Sequence, residues 1–211
     1  MTTFVTFEGP DGSGKSTHLR RVAEALRERG LDHVSTHEPG GTDLGRAVRE
    51  LFLSPRCRTE DGMVEALLVF AARRQHVREV IEPALAGGRH VLCDRFTDST
   101  LAYQGYGRGA SVDALLELDR LATGGLRPDR TLLFDLPPDQ ALARGQSEKR
   151  RNSAGGLDRL DSERLDFYSR VRDGFLALAE REPGRFRVID ASGSVEETHA
   201  QVRRALEGLF R

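Results

Sequence analysis

Cysteine is scarce in this chain, which contains only two cysteines among 211 residues. Two cysteines cannot build a disulfide scaffold, and neither a CxxC pair nor a histidine-rich cluster indicates a zinc site. No apolar run approaches the roughly 18 residues of a membrane span, and the start of the chain lacks the basic segment of a signal peptide. We therefore expect a cytoplasmic protein that does not act at a membrane.

An excess of one charge is missing as well. Lysine and arginine together number 32 and the acidic residues 33, which gives a net charge of -1. This balance argues against a dedicated nucleic-acid binder with a basic face. Hydrophobic residues make up 38% of the chain, which is enough for a globular fold. The length suits a single domain over residues 1–211.

Lysine is the rare basic residue: only Lys15 and Lys149 occur, and the other 30 basic residues are arginines. Lys15 lies in the sequence GPDGSGKS, which follows a β-branched run and precedes a segment of helical periodicity. Glycines in such a loop let backbone N–H groups surround phosphate oxygens. The lysine can then reach the β and γ phosphates, and the hydroxyl of Ser16 can hold Mg²⁺. The predicted triphosphate-binding residues are Gly9, Pro10, Asp11, Gly12, Ser13, Gly14, Lys15, Ser16 and Thr17.

Short apolar runs alternate with helical patterns along the whole chain, which is typical of α/β architecture. We expect a three-layer P-loop fold in which helices flank a five-stranded parallel sheet. The expected strands are 3–8, 33–36, 90–93, 131–136 and 186–189. A short helix ending near residue 143 should precede an arginine-rich lid loop, residues 144–158, because that stretch has glycines and hardly any apolar residue.

A second polar cluster, Asp94-Arg95, follows the strand at 90–93. Ligands of open parallel sheets lie at the carboxyl ends of the strands, so both side chains should face the P-loop. There Asp94 can hold Mg²⁺ and Arg95 can bind a phosphate with its planar guanidinium. The chain lacks the Asn/Thr-Lys-x-Asp signature of a GTPase. Its small size and arginine-rich segment favour a kinase that closes over its donor.

The chain resembles the bacterial thymidylate kinase family over essentially its whole length. The resemblance is carried by FEGPDGSGKST (7–17), HEPGGT (37–42), AARRQH (71–76), DRFTDSTLAYQG (94–105), RPDRTLLFDL (127–136) and LDRLDSERLDFYSRVR (157–172). It implies that ATP and dTMP are converted to ADP and dTDP, for dTTP synthesis, with Mg²⁺ and in a homodimer. The alternatives are another nucleotide or nucleoside kinase of this fold and an inactive nucleotide-binding protein.

The resemblance also implies roles for single residues. Asp11 would lie between donor and acceptor, and Arg95 would bind the dTMP phosphate. Tyr103 would fill the space of a ribose 2′-hydroxyl. The remaining residues implied near the acceptor are Glu38, Pro39, Ser99, Thr100 and Gln104.

Thymine recognition is implied for the helix expected at 62–86, where the family has an aromatic ring and an arginine. Aligning AARRQH makes Arg73 that arginine, but then Val69 falls at the aromatic position. Phe70 and Arg74, spaced i and i+4, also fit. We favour Phe70 with Arg73 and keep Arg74 open.

The lid should contribute an arginine to catalysis, because the P-loop of this chain has none. The candidates are Arg150 and Arg151, in the densest positive run of the lid, and Arg144, with Arg159 behind them. An arginine there would neutralise charge on the transferred phosphoryl group.

Overall fold

A computed structural model of the chain describes residues 2–54, 59, 61–151 and 165–210, with the backbone alone for 146–151. All strand pairs in it are parallel, and the sheet order is β2-β3-β1-β4-β5. The expected five-stranded parallel sheet is therefore confirmed. The strands are β1 (Phe4–Glu8), β2 (His33–His37), β3 (His90–Asp94), β4 (Arg130–Asp135) and β5 (Phe186–Asp190).

Helices cover both faces of the sheet, so that all five residues of the central strand β1 are buried. Such burial explains why the strand is a continuous apolar and β-branched run rather than an alternating one. The helices described are α1 (Lys15–Glu28), α2 (Asp43–Leu53), α3 (Gly62–His76), α4 (Glu82–Ala86), α5 (Thr97–Thr100), α6 (Val112–Thr123), α7 (Pro138–Arg151), α8 (Leu165–Arg181) and α9 (Val195–Ala205). None of them is long and apolar enough to cross a bilayer.

Four of the described helices begin at side-chain caps, among them α6, where Ser111 accepts a hydrogen bond from the N–H of Ala114. Thr42 accepts a hydrogen bond from the backbone N–H of Gly45, at the start of α2. Ser194 and Glu197 form a capping box at the start of α9, as their spacing indicates. Asp61 caps α3 through the N–H of Met63. These caps fix where the helices next to the cleft begin.

The apolar core lies in two layers on either side of the sheet. Leu19, Val22 and Leu26 of α1 pack with residues of β1, β4 and α9 on one face. On the other face, α3 and α8 pack around a π-helical segment, Leu101–Gly107. A second π-helical segment, Val77–Ile81, joins α3 to α4, so the helical run expected at 62–86 is present.

Two segments differ from the expectation. Residues 97–107 form α5 and the π-helical segment, although no helix was expected there. Helix α7 continues to Arg151 instead of ending near 143, because alanine, glutamine, glutamate, lysine and arginine are good helix formers even without an apolar face. The first half of the expected lid is thus helical. Residues 152–158 lie outside the described part of the chain.

Candidate active site

A cleft of about 890 Å³ lies at the carboxyl edge of the sheet. The P-loop, which here means residues 9–16, forms one end of it, and residues after β2 and β3 form the other together with α3. Strands β1, β2 and β3 are neighbours and end at this edge, so segments far apart in sequence meet there. The predicted P-loop residues that line the cleft are Asp11, Gly12, Gly14, Lys15 and Ser16, followed by Thr17.

The P-loop is held in place by its own backbone and by α7. Gly12 has φ 78°, and a Cβ there would lie 2.7 Å from the carbonyl oxygen of Ala141 and 2.8 Å from the amide nitrogen of Gly145. A side chain would force α7 away, so only glycine allows this close approach. Helix α1 begins directly after the loop at Lys15 and directs its positive amino-terminal end into the cleft.

Lys15 is buried and donates a 2.7 Å hydrogen bond from Nζ to the carbonyl oxygen of Pro10. Burial lowers the pKa of Lys15 to about 8, and the nearby Arg95 acts in the same direction. A cation that has lost much of its hydration interacts strongly with phosphate oxygens, which would replace the carbonyl as its partner. The geometry fits the predicted role at the β and γ phosphates.

Ser16 and Asp94 meet at the P-loop: the hydroxyl of Ser16 donates a 2.6 Å hydrogen bond to Oδ2 of Asp94. One hydroxyl and one carboxylate are hard oxygen ligands of the kind that Mg²⁺ uses beside phosphates and water. No cluster of three or more acidic, histidine or cysteine side chains suited to a metal occurs among the described residues. The pair fits a cation held mainly by nucleotide and water.

Arg95 follows β3 with φ 68°, the left-handed backbone region. Its Nη2 donates to Oδ1 of Asp11 at 2.6 Å and its Nη1 to the hydroxyl of Ser99 at 3.0 Å. Burial alone would lower the pKa of Arg95, but Tyr103 and Asp11 among its neighbours raise it, so the guanidinium stays charged. The contact with Asp11 places this cation directly beside the P-loop.

Tyr103 lies under that guanidinium, whose carbon is 5.2 Å from the ring centroid. Phe167 and Phe175 pack edge-on against the same ring, with centroids 6.2 Å away. Burial raises the pKa of Tyr103 to about 12, so the phenol is neutral at physiological pH. A rigid, neutral ring at the floor of the cleft can exclude a substituent by its volume.

Glu38 is buried at the turn after β2, before a cis peptide bond to Pro39. Its two carboxylate oxygens contact Nε of Arg73 at 2.7 Å and Nδ1 of His76 at 2.8 Å. Burial would raise the pKa of Glu38, but Arg73 and His76 outweigh it and hold the pKa below its ordinary value. Gly41 leaves room for His76, since a Cβ there would lie 2.4 Å from Nε2 of that ring.

Arg73 has one unused donor. Its Nη2 donates to the hydroxyl of Thr100 at 2.9 Å. Its Nη1 is buried and has no hydrogen-bond partner among the described residues; the nearest carboxylate oxygen, Oδ1 of Asp119, is 4.0 Å away. Arg73 lines the cleft as a residue, but its Nη1 is buried and faces Asp119 rather than open space.

The structure distinguishes the residues of α3 that were alternatives for contacting thymine. Val69 and Arg73, one helical turn apart, line the cleft. Phe70 lies in the apolar core, where its ring centroid is 4.9 Å from the guanidinium carbon of Arg73. Arg74 donates to the carbonyl oxygen of Ala122 on α6. Neither Phe70 nor Arg74 lines the cleft, because successive helical residues are turned by about 100° and Val69 takes the face that meets it.

Ser99, Thr100 and Gln104 lie on one face of α5 and the π-helical segment, and all three line the cleft as expected. Nε2 of Gln104 donates to the buried carboxylate of Glu65 at 2.9 Å. This contact orients the Gln104 amide so that its nitrogen faces Glu65.

Arg144 joins α7 to the loop before α9. Its Nη1 and Nη2 donate to the carbonyl oxygens of Ala191 and Ser192 at 2.7 and 2.9 Å. The side chains of Arg150 and Arg151, and all of Arg159, lie outside the described part of the chain.

Several cleft residues were not anticipated from the sequence. They include Thr36 at the end of β2, Arg49 and Phe52 on α2, and Gly145 on α7. The spacing of Arg49 and Phe52 marks one face of a helix, but nothing in the sequence says which element this face meets. Thr36 could have been suspected from its position at the carboxyl end of a strand.

The cleft has a P-loop at one end and arginines with a buried carboxylate at the other, at the edge of a parallel sheet. These features are typical of a P-loop kinase that acts on a small phosphorylated acceptor.

Comparisons with known proteins narrow this class. The family model described as thymidylate kinase matches residues 7–202. The chain is 53% identical to the thymidylate kinase of Desulfovibrio desulfuricans, over 99% of this chain and 96% of that protein. It is 49% identical to that of Pseudomonas putida strain GB-1, over 98% and 95%. The crystal structure of thymidylate kinase from Ehrlichia chaffeensis matches with a TM-score of 0.77 at 35% identity, covering 98% of this chain and 99% of that one.

The chain belongs to the thymidylate kinase family. Its reaction is transfer of the γ-phosphoryl group of ATP to dTMP, which gives ADP and dTDP for nucleotide biosynthesis.

Proposed function

We propose that ATP binds along the P-loop and dTMP binds in the part of the cleft formed by α3 and residues 94–104, within one kinase domain over residues 1–211. The observation that carries this division is the 2.6 Å contact between Nη2 of Arg95 and Oδ1 of Asp11. It brings the cation proposed for the acceptor phosphate next to the loop proposed for the donor. Phosphoryl transfer needs mainly alignment and charge neutralisation, which such proximity supplies.

On the donor side, Lys15 would contact the β and γ phosphates, together with the backbone N–H groups of residues 9–17. Mg²⁺ would be held by Ser16 and Asp94, whose oxygens already lie together. The cation would neutralise the phosphate oxygens. Support for this assignment comes from the hard-oxygen character of the two side chains.

On the acceptor side, Arg73 lines the cleft and would contact a carbonyl oxygen of thymine, with its guanidinium held by Glu38 and Thr100. Val69 would lie against the base, while Phe70 would act from below, through the guanidinium that it supports. Pro39 and Glu38 would close this end of the cleft, with Ser99, Thr100 and Gln104 beside base and sugar. Arg74 has no part in this arrangement.

Tyr103 would favour deoxyribose over ribose. Its ring is fixed by Phe167 and Phe175 and cannot move aside easily. A 2′-hydroxyl placed against it would need space that the ring occupies. The proposal therefore assigns the discrimination to the bulk of the ring rather than to its hydroxyl.

The lid, residues about 144–158, would supply an arginine to the transferred phosphoryl group. Arg144 already bonds to Ala191 and Ser192, which favours Arg150 and Arg151 for this role. Catalysis would then need no arginine in the P-loop and no covalent intermediate on the enzyme.

A homodimer is proposed from exposed apolar side chains on three neighbouring helices. Leu44 and Leu51 of α2, Val64 and Leu67 of α3, and Leu121 of α6 are 39–66% exposed. Burying such a surface against a second copy would remove apolar area from water. The proposed location is the cytoplasm, where both substrates occur.

The decisive experiment measures ADP release with dTMP, dUMP, dCMP, dGMP, AMP, UMP and thymidine as acceptors. We expect the highest kcat/KM with dTMP and no turnover of thymidine, since a nucleoside leaves Arg95 without its phosphate. Faster turnover of thymidine than of dTMP would refute the assignment of Arg95, and equal rates with dCMP would refute that of Arg73.

A further inference from the structure

Glu8, the last residue of β1, is completely buried and does not line the cleft. One of its carboxylate oxygens, Oε1, accepts a 2.7 Å hydrogen bond from the backbone N–H of Phe96. The other, Oε2, accepts a 2.5 Å hydrogen bond from the hydroxyl of Ser99. Both donors lie within four residues of Arg95 and are 88 and 91 residues away from Glu8 in sequence.

The first contact fixes an unusual backbone conformation. Arg95 is the only non-glycine residue with positive φ among the described residues, at 68°. Left-handed backbone is unfavourable for a residue with a Cβ and persists only where neighbouring groups hold it. The N–H of Phe96 comes directly after this position in the chain. Its hydrogen bond to Glu8 therefore holds the residue that follows Arg95. The N–H of Arg95 itself donates to the carbonyl oxygen of Phe7 at 3.0 Å.

The second contact fixes the guanidinium. Oγ of Ser99 is held against Oε2 of Glu8 at 2.5 Å and accepts a 3.0 Å hydrogen bond from Nη1 of Arg95. A chain of hydrogen bonds thus runs from Glu8 through Ser99 to Arg95 and on to Asp11. Loss of the carboxylate would free the Ser99 hydroxyl to rotate and would leave Nη1 without a fixed acceptor.

The contacts of Glu8 differ from those of the other buried carboxylates, because Glu8 forms no ion pair with the residues that the structure describes. The buried carboxylates of Glu38 and Asp98 are paired with Arg73 and Arg185. No ion pair joins Glu8 to any residue in the described part of the chain, and its hydrogen-bond donors there are neutral. Burial and the nearby Asp98 raise the pKa of Glu8 to about 8. Unfavourable burial of this kind is concentrated at functional sites.

We propose that Glu8 is a positioning residue for the acceptor phosphate: through Phe96 and Ser99 it sets both the backbone and the guanidinium direction of Arg95. This inference rests on the proposed role of Arg95. Glu8 itself touches neither nucleotide. Its effect should therefore be larger on the use of dTMP than on the use of ATP, which Glu8 reaches only through its electrostatic effect on Lys15.

The test compares Glu8→Met, which keeps the volume and removes both acceptors, with Glu8→Gln, which keeps one oxygen for the N–H of Phe96. Steady-state KM values for dTMP and ATP are measured with kcat and the melting temperature. Thr6→Val is the matched control, because it removes a buried hydrogen bond of the same strand, to Thr131. We expect the KM for dTMP to rise about 10- to 100-fold in Glu8→Met, less in Glu8→Gln, and not in Thr6→Val.

Ser99→Ala tests the relay separately, in case Glu8→Met does not fold. Its effect on the KM for dTMP should not add to that of Glu8→Gln, since both break the same chain of bonds. An unchanged KM for dTMP in Glu8→Gln and Ser99→Ala, with only a lower melting temperature, would overturn the proposal. So would equal rises in the KM values for dTMP and ATP. Failure of the wild-type protein to use dTMP would instead refute the proposed function.

Discussion

Nε of Arg73 donates a 2.7 Å hydrogen bond to Oε2 of Glu38, and the two side chains are only 1% and 3% exposed. The pair joins the turn after β2 to α3 across the acceptor end of the cleft. Glu38 uses both carboxylate oxygens, since His76 contacts the other one. Arg73 is therefore held at Nε by Glu38 and at Nη2 by Thr100, which fixes its guanidinium at the wall of the cleft.

Glu38→Gln should destabilise the protein by about 3–5 kcal/mol, because it removes the closer of the two carboxylates that face the buried charge of Arg73. The pKa of Glu38 is depressed in the folded protein, so its contribution is present above the ordinary value of 4.5 and is lost as the pH falls through the folded pKa. Urea unfolding at several pH values measures both effects. We expect the free energy of unfolding of the variant to depend less on pH in the acid range than that of the wild type. Equal stabilities of variant and wild type at neutral pH would contradict this role.

Lys15→Ala should lower kcat about 10²-fold or more, because a charge-assisted contact to the reacting phosphates is lost. The melting temperature should stay close to that of the wild type, since the side chain serves the cleft rather than the core. A variant that retains half of the wild-type kcat would show that this loop does not hold the reacting phosphates.

The reaction should also lose activity at alkaline pH. The pKa of Lys15 is about 8 in the free protein, so the charged form falls off as the pH rises past that value. The pH profile of kcat/KM for ATP reports groups of the free enzyme. We expect a decline above about pH 8 in the wild type and a shift of this decline to higher pH in Lys15→Arg. Identical profiles would exclude Lys15 as the titrating group.

Tyr103→Ala should relax the discrimination against ribonucleotides, whereas Tyr103→Phe should change it little, because the proposal assigns selectivity to ring bulk. The measured quantity is the ratio of kcat/KM for dTMP to that for its ribonucleotide counterpart. Tyr103→Phe serves as the control that keeps the ring. An unchanged ratio in Tyr103→Ala would remove Tyr103 from this role.

Replacing Arg150 and Arg151 together with alanine should lower kcat about 10²- to 10³-fold and change dTMP affinity only a few-fold. The double variant is needed because either arginine can cover for the other. Arg203 and Arg204, adjacent exposed arginines on α9, provide a matched double control. If kcat survives the double replacement and Arg144→Ala abolishes it, the role belongs to Arg144; if all three can be removed without loss, no lid arginine acts.

Val69→Phe should lower the KM for dTMP about 3- to 10-fold, because it adds an aromatic face to the cleft at the position proposed to contact the base. Val195→Phe, at an exposed position on α9 away from the cleft, is the control and should leave this KM unchanged. A KM that is unchanged in Val69→Phe would place the base away from Val69.

The sequence predicted the parallel sheet well because β-branched runs buried on both faces leave a strong local signal, as in β1. It missed α5 and the π-helical segment at 97–107, where threonine, serine and glycine are poor helix formers and packing against α8 holds the helix instead. It also predicts too short an α7, because a polar, glycine-containing stretch indicates a loop even where its residues favour a helix.

The sequence by itself determined the chemistry of the donor end. The residues from Gly9 to Ser16 are proposed to act through their own backbone and side chains, so their spacing predicts their role. The pairing of Ser16 with Asp94 could also be expected, because neighbouring parallel strands end at one edge.

Only the tertiary structure decided the acceptor end. Val69 and Phe70 are adjacent, and which of them meets the cleft depends on how α3 is rotated in its packing. Likewise, the buried partner of Arg73 is Glu38, which is 35 residues away in sequence. Glu8, which holds the turn at Arg95 through Phe96, is 88 residues away from Phe96. Such contacts arise when separate strands and helices are packed side by side, and no local pattern of residues encodes them.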